Sequence, residues 1–171
     1  MVGKPSKTGQ LIMFLTGPGG SGKSRIISEL LSYAEKFCSN IQQPFTRNTI
    51  LVTACSGVAA TLIHGQTLHS ATFLNTNICN IDTDEKAKFQ NCVKMVLIDE
   101  ISMLSGSEIK ALSKRLNWLT DDRSGVYGGI DIVFMGDFRQ LPPISKKPIY
   151  STTVVEFTSY INCFISLKGQ Y

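Results

Sequence analysis

Short apolar runs alternate along this chain with stretches whose apolar positions recur at helical spacing. Leu11–Thr16, Thr49–Ala54, Met95–Ile98 and Ile130–Met135 read as strands, rich in branched and aromatic residues and bounded by glycine or polar positions. The fourth starts after the turn signal Gly128-Gly129. Helices are predicted over Arg25–Phe37, Val58–Ile63 and Glu108–Leu119. In the last of these, Ile109, Leu112, Leu116 and Leu119 form a stripe at the helical period, which marks a core-facing side. This alternation predicts an α/β fold, three layers deep, with a mainly parallel central sheet. Two apolar segments within residues 151–167, TTVVEF and INCFISL, predict one or two further strands at the sheet's edge. The polar stretch Asn75–Asn91 groups Asp82, Asp84 and Glu85 and reads as a surface excursion with little functional content. Residues 1–10 have two lysines and no apolar core, so they read as a linker or appended start rather than a signal peptide.

Composition narrows the class. A chain of 171 residues suits one domain, here 11–171, and 43% hydrophobic with 18% charged residues marks it as globular rather than disordered. The net charge of +4 is compatible with nucleic acid without requiring it. Five cysteines, an odd number with no C-x-x-C pair, fit a reducing intracellular setting and argue against a zinc site. No apolar run approaches the length of a membrane span.

The chemistry begins at residues 17–24, GPGGSGKS, which match the phosphate-binding pattern GxxxxGK[ST] between the first strand and the first helix. Gly17, Gly19, Gly20 and Gly22 let the backbone wrap an anion and aim N–H groups inward; Pro18, Ser21 and Arg25 complete the expected contact set. The helix that follows adds the positive end of its dipole. Lys23 is placed to reach the β- and γ-phosphate oxygens, and the Ser24 hydroxyl is the expected Mg²⁺ ligand.

VLIDE, Val96–Glu100, is an apolar strand ending in two carboxylates. In a parallel sheet the carboxyl ends of strands face the ligand crevice, which puts these acids beside the phosphate loop. Asp99 is then the candidate second Mg²⁺ ligand, and Glu100 the candidate acceptor for the proton of attacking water. A third block, MGDFRQLPPI, brings Asp137, Arg139 and Gln140 to the same edge. A neutral amide such as Gln140 can bond a γ-phosphate without competing for the metal, although an ordinary strand-to-loop turn would also account for the block.

Four segments together carry a resemblance: GPGGSGKS, TACSGVAATLIHGQTLHS at 53–70, VLIDEISML at 96–104 and YGGIDIVFMGDFRQLPPI at 127–144. In this order they resemble the first motor domain of the Pif-one helicase family, including Helitron-type relatives, within superfamily one B. The resemblance covers roughly residues 11–171 and implies a RecA-like P-loop NTPase domain that binds ATP and Mg²⁺ and tracks single-stranded DNA in the 5′-to-3′ sense. Roles in DNA repair, recombination or telomere maintenance go with it, as does a nuclear or mitochondrial address if the source is eukaryotic. By the same resemblance Lys23, Glu100 and Gln140 are catalytic, with Gln140 sensing the γ-phosphate. Ser56 and Gly57 in the SGVAA block, and Thr67, His69 and Ser70 in the Thr-x-His-Ser segment, fall on positions that touch the DNA strand. Phe73 and Phe138 are open between base stacking and core packing.

The family's arginine-bearing motif and second RecA-like domain would follow near residue 171, and its glutamine motif before Leu11 is represented only by Gln10. The chain is therefore expected to be half of a motor that binds nucleotide, hydrolyses it weakly without an arginine finger and does not unwind DNA alone. A P-loop ATPase that remodels proteins and a non-hydrolysing ATP-binding module are the alternatives. No NKxD guanine-reading motif occurs, which disfavours a GTPase.

Overall fold

The computed structural model describes residues 9–123, 125–139 and the strand at 163–166. Six strands form one sheet: β1 (Ile12–Thr16), β2 (Ile50–Ala54), β3 (Gln66–Thr67), β4 (Met95–Asp99), β5 (Asp131–Gly136) and β6 (Cys163–Ser166). Their order across the sheet is β3-β2-β4-β5-β1-β6, and every pairing is parallel. The four strands read from the sequence are therefore all present, and INCFISL supplies β6 beside β1. TTVVEF lies outside the described residues.

Parallel strands covered on both faces should be largely apolar, and the central strands β1, β4 and β5 are. Ile12, Phe14, Val96, Ile98, Ile132 and Phe134 point into one core, where α4 (Thr83–Cys92) and α5 (Gly106–Thr120) pack. Leu15, Leu97, Val133 and Met135 take the opposite face, under α1 (Lys23–Asn40) through Ile27 and Leu30. Two short helices, α2 (Gly57–Leu62) and α3 (Leu68–Ala71), flank β3 near the end of β2. The result is the three-layer α/β sandwich expected, with a sheet that is parallel in every described ladder.

Helix α5 carries its predicted stripe inward: Ile109, Leu112, Leu116 and Leu119 are all buried. It starts at Gly106, ahead of the predicted Glu108, because Ser105 and Glu108 form a reciprocal capping box. The excursion at residues 75–91 lies largely at the surface, as read, but it is anchored to the rest of the fold. Within it Asp82 caps α4, Phe89 is buried in the core, and Lys86 and Gln90 both bond Asp121 at the end of α5. Arg115 of α5 reaches back to the Thr76 carbonyl at 2.8 Å. The segment is a structural clasp, missed because α4 carries little apolar periodicity beyond Phe89. Gln10, assigned to the leading linker, donates from its side chain to the Val126 and Ile130 carbonyls at 3.1 and 2.7 Å and so belongs to the fold.

One glycine fixes the approach to β5. Gly128 sits at φ +62°, where a Cβ would collide with Thr120 Oγ1 and lie 2.6 Å from the Leu116 carbonyl oxygen. Gly128→Ala is expected to cost about 2–3 kcal/mol from strain and clash together. That lowers the melting temperature by about 5–10 °C, measured by circular dichroism; an unchanged melting temperature would contradict the geometry.

Candidate functional site

The loop Gly17–Gly22 leaves β1 at its carboxyl end and enters α1, whose first residue is Lys23. Gly20 and Gly22 have φ of +73° and +91°, left-handed values that glycine adopts without penalty. A Cβ at either position would meet nothing within 4 Å, so the glycines serve the backbone's path and leave open space over the loop. Lys23 folds back across that loop, donating from Nζ to the carbonyls of Gly17 and Pro18. Ser21 Oγ is buried without a hydrogen-bond partner among the described residues. An orphaned hydroxyl inside a glycine-lined loop fits a site built for a polar guest. Ser24 is exposed at the first turn of α1. Arg25 turns outward instead, 84% exposed and 3.7 Å from Glu29 one helical turn on, so its side chain is not directed at the loop.

Asp99 and Glu100 end β4 at the same rim of the sheet. The Asp99 carboxyl is buried, and its Oδ1 accepts the Glu100 N–H at 2.9 Å. Burial raises its pKa above the ordinary value; the Glu100 N–H opposes this, the Glu100 charge adds to it, and Lys23 opposes it across the rim. A buried carboxyl held up by desolvation, within the field of Lys23, is suited to a cation that would complete its environment. Asp99 and the Ser24 hydroxyl are hard oxygen donors, and Mg²⁺ characteristically takes one or two such protein ligands and fills its remaining positions with phosphate and water. The residues present fit that ion.

Glu100 sits at φ +56°, uncommon for a residue with a side chain, and opens the 3₁₀ turn Ile101–Met103. Its Oε2 accepts the Ser56 hydroxyl at 3.0 Å. The same Ser56 Oγ accepts the Ala59 N–H at 3.2 Å and caps α2. Next to Ser56, the Cys55 N–H donates to the Asp99 carbonyl at 3.2 Å. Burial raises the pKa of the Cys55 thiol well above the ordinary range, with Glu100, Asp99 and Glu108 adding to the shift, so it stays protonated and inert.

The positions expected at the nucleic-acid strand gather around β2 and β3. Gly57 is exposed at the start of α2. Thr67 caps α3, its hydroxyl accepting the Ser70 N–H at 3.3 Å. Ser70 is exposed on a groove that Gln66, Phe73 and Lys88 also line. His69 is half-buried with Nε2 3.8 Å from Glu108, the capping residue of α5. The geometry thus gives Ser56, Thr67 and His69 partners within the protein and leaves Gly57 and Ser70 at the surface. Phe138 stacks on Phe14 with ring centroids 5.1 Å apart, and Phe73 packs against the same core, which resolves both toward packing. Asp137 is buried and accepts the Arg139 N–H at 3.0 Å. Gln140 lies outside the described residues.

Comparison with known proteins places this geometry. The sequence profile described as PIF1-like helicase matches residues 3–163, nearly the whole chain. The chain belongs to the PIF1-like helicase family. It is similar to the ATP-dependent DNA helicase RRM3 of Saccharomyces cerevisiae, 32% identical over 157 residues that cover 85% of this chain and 20% of that protein. It is likewise similar to the ATP-dependent DNA helicase Pif1 of Psychrobacter, 31% identical over 150 residues, 82% of this chain and 21% of that one. The crystal structure of Pif1 helicase from Candida albicans superposes with a TM-score of 0.71 at 30% identity, covering 94% of this chain and 36% of that one. A Bacteroides Pif1 in complex with ADP-AlF4 shares the fold, with a TM-score of 0.67 at 20% identity over 94% of this chain and 38% of that one. The chain therefore spans about a fifth of the length of these curated relatives and somewhat over a third of the solved structures. Membership supports nucleotide use and a RecA-like helicase fold.

Proposed function

We propose that this chain is the ATP-binding and ATP-hydrolysing domain of a DNA helicase, coupling hydrolysis to 5′-to-3′ movement along single-stranded DNA. One observation carries the reading. A glycine-lined loop crossed by Lys23 and a buried Asp99 with its neighbour Glu100 share one rim of a parallel sheet, in a chain of the PIF1-like helicase family.

The loop N–H groups and Lys23 bind the triphosphate, and Lys23 exchanges the Gly17 and Pro18 carbonyls for phosphate oxygens as it does so. Ser24 and Asp99 would hold Mg²⁺, which when bound would supply positive charge against the phosphate oxygens. Glu100 accepts the proton of the attacking water, its left-handed backbone presenting the carboxylate at the strand end. Gln140 senses the γ-phosphate. Gly57 and Ser70, on the exposed border of α2 and α3, lie along the path of the strand, with Ser56, Thr67 and His69 behind them.

Binding of a fluorescent oligo-dT tests the nucleic-acid half of this reading. With about four phosphate contacts, affinity should fall roughly 50-fold between 50 and 200 mM salt. Changing base composition should alter it by less than about fivefold, since backbone contacts carry no sequence information. Salt-independent binding, or none, would leave the reading without its substrate.

A further inference from the structure

Ser56 has two commitments that a residue serving only the nucleic-acid strand would not need. Its oxygen accepts the Ala59 N–H, and its single hydroxyl hydrogen goes to Glu100 Oε2. The direction of that second bond matters because of the strand order. β2, which delivers Ser56, pairs with one edge of β4; β5 and then β1, which delivers the phosphate loop, lie on the other. Neighbouring strands are ~4.8 Å apart, so a Glu100 carboxylate tied to the end of β2 leans away from the loop and from any water beside a γ-phosphate. The backbone rails are fixed: Ala54 is in register with Asp99, and the Cys55 N–H bonds the Asp99 carbonyl. What is free to change is the side-chain torsions of Glu100.

We propose that Ser56 is a positioning residue that restrains Glu100: its hydroxyl holds the carboxylate on the β2 side and releases it when a nucleic-acid strand reaches the start of α2. The proposal rests on the reading of this chain as a strand-dependent ATPase. A serine hydroxyl has one hydrogen to give. A phosphodiester oxygen arriving at Ser56 competes with Glu100 for it, while the serine oxygen continues to cap α2 through Ala59. Once released, Glu100 turns toward the phosphate loop and takes up the water. Strand occupancy is thereby felt at the hydrolysing carboxylate through one exchanged hydrogen bond, 44 residues apart in sequence.

The test measures steady-state ATP turnover of the full-length protein, with and without oligo-dT. Ser56→Gly removes the hydroxyl while leaving a residue that caps a helix nearly as well as serine. It should raise turnover without nucleic acid at least about fivefold, within the reach of one lost bond to a charged group, and shrink the stimulation by oligo-dT to match. Ser56→Thr returns the hydroxyl and should restore the low unstimulated rate. Unstimulated turnover in Ser56→Gly equal to or below wild type overturns the restraint. A wild-type protein that oligo-dT does not stimulate overturns the release step and the strand reading beneath it. In that case a gain from Ser56→Gly without nucleic acid still upholds the hold on Glu100.

Discussion

Lys23→Ala is expected to lose about 10²–10³-fold in kcat/KM for ATP hydrolysis, with a large share of that loss already present in the affinity for magnesium-complexed ATP. The side chain folds across the phosphate loop, donating from Nζ to the Gly17 and Pro18 carbonyls. Alanine leaves those carbonyls to water at the mouth of the loop, a cost of about 1 kcal/mol. The melting temperature should therefore move only a few degrees. Titration with a fluorescent ATP analogue separates the two effects. A variant that binds magnesium-ATP as tightly as wild type would remove the foundation of the nucleotide site.

Glu100→Gln should divide binding from chemistry. The amide has the shape of the carboxylate and its oxygen can still accept the Ser56 hydroxyl, so the turn at Ile101–Met103 and the cap on α2 are retained. It cannot take a proton from water at neutral pH. Loss of a positioned general base typically costs about 10²–10⁴-fold, and kcat should fall by that much with ATP affinity within about twofold of wild type. Single-turnover hydrolysis is the direct measurement. Turnover within tenfold of wild type would assign the base elsewhere.

Much of this was legible from residue order alone. The phosphate loop is local: glycine, lysine and serine at fixed offsets between a strand and a helix, so its identity and its position come from one stretch of chain. The strand cores were equally plain, because strands buried on both faces carry apolar residues without interruption. Asp99 and Glu100 could be placed at the rim because strand polarity is set by the helical crossovers. What escaped was non-local or weakly patterned. The partner of Ser56 lies 44 residues away, and no spacing rule predicts that a hydroxyl expected on a nucleic acid will turn to a carboxylate on the neighbouring strand. His69 met Glu108 in the same way, across two elements that only the sheet brings together. Helix α4 was read as excursion since its one buried apolar side chain, Phe89, gives no period. The capping box Ser105-x-x-Glu108 was the exception, a local signal that would have set the start of α5 correctly.

The order of strands also bears on how the chain is made. β1 leaves the ribosome well ahead of its neighbours in the sheet, β5 and β6. The Leu11 N–H finds its acceptor on Asp131, 120 residues downstream. At about 5–20 residues per second, that is a delay of roughly 6–24 seconds during which an apolar strand waits unpaired. The nascent chain must be shielded for that interval, and its nucleotide cradle cannot be completed until translation has passed β5.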